Sequence, residues 1–349
     1  MTRLRRSAPE RPGLTRRRRG RGWQFLDVDG DPVDEATRRR IESLVIPPAW
    51  RDVWIAPWPN GHIQAVGTDD AGRRQYLYHE DWTTSRHRRK FARVAEFAAR
   101  LPAARREVEE QLALDGMPEE RALATAFSLL DRGHFRVGGE VYAQTNGSFG
   151  LATLRRDQVR RERGALVFDY TAKSGLRRVE RIDDPRLSRS IDVLLRRRGG
   201  NPELLSYRDG RTWRPVGSAA INGYLKETLG TDFSAKDFRT WHGTVLAAVA
   251  LSDQAASPPD KGWSRAARVR AERAAVAQVS DVLGNTPAVC RGSYIDPRVI
   301  DAFENDATVR PAVARVRRDG VPGSGDELVS VAYTPTVERA VRKLLREKA

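Results

Sequence analysis

The sequence predicts an α+β protein: a small β-rich N-terminal domain, then a larger and mostly helical domain interrupted by β-hairpins. Three observations predict it. Short alternating segments punctuated by turn dipeptides crowd residues 23–82. Beyond Trp82, apolar residues recur at helix spacing through most of the chain. Within that helical stretch, Lys173-Ser174-Gly175 separates two strand-like runs. A length of 349 residues suits about two domains at roughly 150 residues each, and a hydrophobic content of 40% can bury a core.

Taken in order, residues 1–22 are dominated by Arg, Pro and Gly and are expected to form a disordered basic arm that touches nucleic acid through charge. Trp23–Val28 alternates in part before the turn Asp29-Gly30-Asp31-Pro32, and a helix is expected near Glu35–Leu44. Val53–Ala56 and His62–Val66 flank Asn60-Gly61, a strong hairpin signal, and Gln75–His79 is a further strand. Residues 23–82 thus form the first domain and 83–349 the second. In the second, His87–Arg100 carries Phe91, Val94, Phe97 and Ala98 on one face, and Leu101-Pro102 is expected to break the helix. Pro118–Asp131 follows as a helix. Tyr142–Leu154 reads as a hairpin around Asn146-Gly147, and Ala165–Tyr170 with Leu176–Ile182 as another. Helices are expected over Pro185–Arg197, Ser218–Leu229, Ser234–Leu251 and Ser264–Leu283, with a short one opening at Thr286-Pro287. Ala256–Asp260 is a linker, and no internal repeat is evident.

The formal net charge is +16 and the sequence pI about 10.6, a field that attracts nucleic acid or an anionic membrane surface. A GC-rich genome favouring Arg is the plain alternative. No apolar run approaches the ~20 residues of a membrane span. The Arg-rich N-terminus lacks the apolar stretch of a secretory signal. Cys290 is the one cysteine, so no internal disulfide can form, which suits a reducing cytoplasm. None of His62, His79, His87, His134 and His242 lies at a ligand spacing from another, and neither Cys-x-x-Cys nor His-Glu-x-x-His occurs, so no metal is expected. A nucleotide-binding Gly-x-x-x-x-Gly-Lys-Ser/Thr loop is also missing, and no cofactor is expected. Any phosphate chemistry falls to side-chain cations.

One constellation could do such chemistry. Tyr294 follows Leu283-Gly284-Asn285-Thr286-Pro287 by a short step, and Arg136, Lys173 and Arg239 stand upstream in separate settings. A tyrosine phenol, with an ordinary pKa of about 10, is a poor nucleophile unless cations surround it. Guanidinium forks suit non-bridging phosphate oxygens that gain charge as a phosphodiester is attacked, and Arg136 and Arg239 fit. A lysine at a hairpin tip can protonate a departing oxygen, and Lys173 fits. Ser234-Ala235-Lys236-Asp237 is a capping-box signal, after which Phe238, Trp241, Val245, Leu246 and Val249 form a buried face. Lys236, Arg239 and Gly243 share another face near the helix N-terminus, where phosphate is favoured. Each residue also has an ordinary explanation: a solvated helix face, an exposed turn lysine, an arginine capping carbonyls, an Asn285 capping the next helix.

The ordered set resembles the type IB DNA topoisomerases of the poxvirus and bacterial kind, over nearly all of the chain from about residue 23. Phe135-Arg136-Val137-Gly138 with Tyr142, then Gly150-Leu151-Ala152-Thr153-Leu154, is similar to the family's first arginine block. Thr171-Ala172-Lys173-Ser174-Gly175 resembles its lysine hairpin, and Lys236-Asp237-Phe238-Arg239-Thr240-Trp241 its second arginine block. Leu283–Pro287 with Ser293-Tyr294 resembles the nucleophile segment. The resemblance implies the fold shared by this family and the tyrosine recombinases, an ATP-independent nicking and resealing of duplex DNA, and a monomer that clamps the duplex in the cytoplasm, on the nucleoid. It implies that Tyr294 forms a 3′-phosphotyrosyl bond, that Arg136 and Arg239 hold the scissile phosphate, that Lys173 protonates the 5′-oxygen and that Lys236 assists near the phosphate. Asn285 stands where many relatives have histidine; it can donate a hydrogen bond but carries no charge. Ser174 stands where some relatives have an acidic residue.

In the smaller domain, Arg74-Gln75-Tyr76-Leu77-Tyr78 resembles the strand that family members lay on DNA. Tyr76 and Tyr78 share one strand face and Gln75 the other, and Gln can read base edges; core packing of both tyrosines is the alternative. Two other readings of the whole chain remain at this point. A site-specific tyrosine recombinase shares the nucleophile and arginines, although its arm is usually helical. A basic DNA-packaging protein would need neither Lys173 nor Tyr294.

Overall fold

The computed structural model describes residues 3–140, 143, 145, 147–259, 262–321 and 326–347. The chain divides into two compact units, one up to Ala92 and one from Arg93. The division lies ten residues beyond the boundary expected after Trp82.

The first unit is an antiparallel five-stranded sheet. Its strands are β1 (Leu14–Arg19), β2 (Gly22–Leu26), β3 (Arg51–Ile55), β4 (Ile63–Thr68) and β5 (Arg74–Tyr78), in the order β2-β1-β3-β4-β5. Helix α1 (Glu35–Ser43) starts where Asp34 accepts from the Thr37 amide, and Ile41 packs with Leu14, Phe25, Val53, Ile55 and Ala65 in the core. The expected disordered arm is a correction: residues 14–19 are a strand pairing with both β2 and β3. An arginine run can occupy a sheet here because Arg17, Arg18 and Arg19 stay exposed and Arg16 finds acceptors and a ring. Arg16 reaches the carbonyls of Pro47 at 2.7 Å and Trp50 at 2.8 Å, and its guanidinium lies 4.1 Å over Trp23. Further upstream, the Arg5 amide donates to Asn60 and Ser7 Oγ donates to Ile63 O.

Helix α2 (Glu80–Leu112) runs unbroken through Pro102, against the expected break. Proline there removes one helical hydrogen bond, but Leu101, Ala104 and Val108 are all buried, and that apolar stripe outweighs the lost bond.

The second unit takes in α2 from Arg93 onward and continues with α3 (Glu119–Arg132). A three-stranded sheet follows, β6 (Val159–Glu162), β7 (Ala165–Thr171) and β8 (Arg177–Ile182), with β7 central. The β7–β8 turn is the expected hairpin. The expected Tyr142–Leu154 hairpin is another correction: Ala143 and Thr145 are helical, and Leu151–Thr153 is a 3-10 turn. Tyr142 and Asn146 lie outside the described residues. Asn-Gly favours a tight reversal, but a strand pair also needs flanking segments that alternate, and these do not. Next come α4 (Pro185–Arg196), an unforeseen hairpin of β9 (Ser206–Asp209) and β10 (Thr212–Pro215), and α5 (Ser218–Leu229). Helices α6 (Ala235–Ala256), α7 (Arg265–Leu283) and α8 (Pro287–Ser293) follow. The chain ends in α9 (Pro297–Glu304), α10 (Arg310–Asp319), α11 (Glu327–Ala332) and α12 (Pro335–Glu347).

Helix α6 is the axis of this unit. Every residue from Asp237 to Ser252 is buried, and α7, α9, α10, α11 and α12 all pack on it. Phe238 anchors it edge-to-face against Phe97 and Phe127, with centroids 4.9 and 5.1 Å away. One buried ionic cluster ties the last helix to α2 and α3. Arg105 of α2 holds Asp131 of α3 at 2.8 Å and Glu338 of α12 at 2.5 Å, and Glu338 also accepts from Trp241 Nε1 at 3.0 Å. Burial opposes ionisation of Asp131, yet the Arg105 guanidinium keeps its carboxyl below the usual range.

Arg105→Ala leaves two buried carboxylates without their cation and is expected to cost about 3–5 kcal/mol, read from denaturant midpoints at constant m; a change under about 1 kcal/mol would contradict this. His242 is fully enclosed, and burial, helped by nearby His134, pushes its pKa down to about 3. The unfolded imidazole titrates near 6.5. Between about 6.5 and 3 the unfolded chain therefore binds a proton that the folded chain refuses. Stability from this group falls as pH is lowered through that window, by at most about 1.4 kcal/mol per unit. His242→Leu should flatten the measured slope of unfolding free energy against pH; an unchanged slope would assign the acid sensitivity to other groups.

Candidate active site

The candidate residues meet at the C-terminus of α7. A helix leaves its last carbonyls without intrahelical partners. Gly284 ends α7 in the left-handed region at φ 61°, its amide donating to Asp281 O and that of Asn285 to Ser280 O. The next carbonyls go to arginines from elsewhere in the fold. Arg239 Nη2 donates to Leu283 O at 2.7 Å. Arg136 Nη2 donates to Gly284 O at 3.2 Å and to Asn285 Oδ1 at 2.6 Å. The negative end of the helix dipole favours these cations.

Arg239 is 3% exposed on α6, and its Nη1 donates to His134 O. That carbonyl lies two residues before Arg136, so one loop carries both an anchor of Arg239 and the second arginine itself. The loop is pinned in turn by the amides of Leu151 and Ala152, which donate to Arg136 O and Val137 O at 2.8 Å. Burial and the neighbouring Arg239 cation lower the pKa of Arg136, which still leaves it charged.

Tyr294 caps α8, its amide donating to Cys290 O at 2.8 Å. The Arg239 guanidinium carbon lies 5.1 Å from the centre of the Tyr294 ring, and Arg136 is close enough to interact with the phenol electrostatically. Gly243 makes this approach possible. A Cβ there would fall 2.6 Å from Tyr294 O and 3.0 Å from Tyr294 Cβ. The space that a side chain would need at Gly243 is taken by the tyrosine itself. The next residue, Thr244, bonds Asp296 N at 3.1 Å through its hydroxyl, and Asp296 caps α9. The tyrosine segment is thereby fastened on both sides.

Two donors in this cluster have no protein partner among the described residues: Arg239 Nε and Asn285 Nδ2, both buried. Arginine only donates, so the atom of Asn285 facing Arg136 must be the oxygen, and the amide nitrogen is the one left over. Asn285 does not cap the following helix; the Thr286 side chain does.

The structure does not bring every expected residue into this cluster. Lys173 is exposed in the turn after β7, where Ser174 takes φ 68°; among the described residues no hydrogen bond or ion pair joins it to the arginines or to Tyr294. Lys236 is exposed near the start of α6 while Arg239 is buried, so the two do not share one solvated face. The capping box is present: Asp237 accepts from the Ser234 amide at 2.9 Å and also holds Arg93. In the first unit, Tyr76 and Tyr78 are 42% and 39% exposed and stacked with centroids 6.1 Å apart, which removes the core-packing alternative. Gln75 turns to the other face and donates to Asp69 at 2.9 Å.

Sequence reasoning missed Arg178 and the buried groups behind it. Arg178 Nη2 donates to Val282 O at 2.6 Å and pairs with Glu180, which lies 3.1 Å from His134 Nδ1; His134 Nε2 lies 2.6 Å from the Tyr333 hydroxyl. Arg177 and Arg178 are adjacent in sequence. Alternation says that one of them turns inward, but not which.

Gly243→Ala is expected to cost about 1–3 kcal/mol in urea unfolding, because the clash is with backbone. Gly223→Ala on α5, where a Cβ meets open space, should be neutral or stabilise by up to about 1 kcal/mol. Equal effects at the two sites would mean that the tyrosine segment is not packed on α6.

Comparison with known proteins agrees with this arrangement. Residues 79–308 match the catalytic core of eukaryotic DNA topoisomerase I, and residues 22–69 match the N-terminal domain of bacterial DNA topoisomerase IB. A protein of Acanthamoeba polyphaga mimivirus named DNA topoisomerase 1B is 29% identical over 293 residues, which is 82% of this chain and 86% of the relative. The core match spans well over half of the chain, and with the arginine-bearing segments and the Tyr294 segment inside it, the chain belongs to the type IB DNA topoisomerase family.

Proposed function

We propose that this DNA topoisomerase nicks one strand of a duplex through Tyr294, lets the cut strand rotate about its partner, and reseals it without ATP or metal. The observation that carries this reading is the Tyr294 ring beneath the Arg239 guanidinium at 5.1 Å, beside two buried donors that have no protein partner among the described residues. A phosphodiester brings the anionic oxygens that those donors lack.

The chemistry balances as follows. The Tyr294 oxygen gives its proton to solvent water and attacks the scissile phosphorus; a P–O bond to tyrosine forms and the P–O5′ bond breaks. The departing 5′-oxygen takes a proton from Lys173, which the β7–β8 turn holds out in solvent, where DNA would lie. Arg136 and Arg239 bear the charge that builds on the non-bridging oxygens, and Asn285 Nδ2 adds a neutral donor. The tyrosine ester conserves the energy of the broken linkage. Attack by the 5′-hydroxyl on that ester reverses each transfer and frees the phenol. Tyr76, Tyr78 and Gln75, with Lys236, are assigned to holding the duplex, mostly through phosphate, so affinity should fall steeply with salt. The enzyme acts as a monomer, on the nucleoid in the cytoplasm.

Relaxation of supercoiled plasmid should proceed in EDTA without nucleotide. Tyr294→Phe should abolish the covalent protein–DNA adduct and lower relaxation by about a thousandfold or more, with the Kd for duplex DNA within about twofold. An adduct surviving in that variant would move the nucleophile elsewhere, and a strict need for divalent metal would refute the mechanism.

A further inference from the structure

Both phosphate-directed arginines hang on the same two pieces of backbone. Arg239 bridges His134 O and Leu283 O, while Arg136 follows His134 by two residues and bonds Gly284 O and Asn285 Oδ1. One further side chain fixes both pieces. Arg178 on β8 donates from Nη1 to Asp281 O at 3.2 Å and from Nη2 to Val282 O at 2.6 Å, the two carbonyls just before those held by Arg239 and Arg136. It also pairs with Glu180, whose other oxygen lies 3.1 Å from His134 Nδ1. The contact is close: a Cβ on Gly284 would fall 2.7 Å from Arg178 Nη1. The Arg178 side chain is only 17% exposed and Glu180 is 7% exposed, so this pair works inside the protein.

We propose that Arg178 is a positioning residue for strand cleavage: it locks the end of α7 and, through Glu180, the His134 backbone, and so sets the spacing of Arg136 and Arg239. The inference rests on the proposed roles of those two arginines. Arg178 is not a DNA contact, because its fork is occupied by two carbonyls and a carboxylate. Tyr333 completes the arrangement from α11. With Glu180 ionised, His134 Nδ1 carries the proton, and Nε2 then accepts from the Tyr333 hydroxyl at 2.6 Å. Loss of Arg178 frees two helix-end carbonyls and the Glu180 carboxylate together. Displacement of a catalytic group by about 1 Å can cost about a hundredfold in rate.

The test is single-turnover adduct formation on a duplex with one cleavage site, at saturating enzyme, beside Kd at several salt concentrations. Arg178→Ala should slow cleavage by about tenfold or more, with Kd and its salt slope within about twofold of the parent. Arg178→Lys should remain slow, since one ammonium cannot hold the two carbonyls and the carboxylate in the geometry of a fork. The double variant with Arg136→Ala should be slowed by less than the product of the two single losses, because part of the Arg178 effect passes through that side chain. Tyr333→Phe deletes one hydroxyl and should give a smaller slowing at unchanged Kd; it decides the matter if Arg178→Ala does not fold. The proposal is overturned by parental cleavage in Arg178→Ala (or in Tyr333→Phe, where Arg178→Ala does not fold), by full rescue with lysine, by multiplicative losses with Arg136→Ala, or by a loss confined to Kd. Failure of the underlying mechanism looks different: the parent enzyme itself would form no adduct, or Tyr294→Phe would still form one.

Discussion

The site depends on the unsatisfied end of one helix. Left alone, the last carbonyls of α7 would lack donors apart from the Gly284 amide at Asp281 O, a cost of about 1–3 kcal/mol for each that is buried. They are instead taken in succession by Arg178 at 281 and 282, Arg239 at 283 and Arg136 at 284. One requirement of folding, to satisfy these acceptors, thus gathers guanidinium groups from a strand, a buried helix and a loop. Mutual repulsion among them is offset by the helix dipole and by Glu180. Gly284 is needed twice here, for its positive φ and for the space that Arg178 occupies.

This concentration of charge needs a rigid backing, and α6 supplies it. Its apolar residues fix the height of Arg239, and its Gly243-Thr244 step receives the tyrosine segment. The same helix hands Trp241 to Glu338, and so joins the ionic cluster that binds α2, α3 and α12. The C-terminal helices are therefore part of the scaffold around the arginine cluster: Glu338 braces α6, and Tyr333 reaches His134, the residue whose carbonyl Arg239 holds. The first unit contributes a different surface, an edge strand carrying two stacked and exposed tyrosines.

Much of this was legible beforehand where the signal is local. The Lys173-Ser174-Gly175 turn, the Ser234–Asp237 capping box and the starts of α5 to α8 need only neighbours in sequence, and they lie where their residues predict. Expectations failed where distant partners decide. The Arg-rich start folds as β1 because carbonyls at 47 and 50 and the ring of Trp23 receive Arg16. Pro102 stays helical because its neighbours are buried on both sides of it. The β9–β10 hairpin was missed even though it turns at Gly210-Arg211, between the paired Asp209 and Thr212, and a glycine first in a two-residue loop was a signal present in the chain.

By itself, the chain's sequence determined the order of the Tyr294 segment and the arginine and lysine blocks, the basic field and the family, because these reside in residue types and their order. Only the tertiary structure decided that Gly243 seats Tyr294, that Asn285 turns its oxygen to Arg136, and that Arg178 rather than Arg177 holds the end of α7. Each of those outcomes depends on which atoms from remote segments arrive within about 3 Å of one another. Hydrogen bonding at that range is set by packing across the whole fold, and no local pattern encodes it.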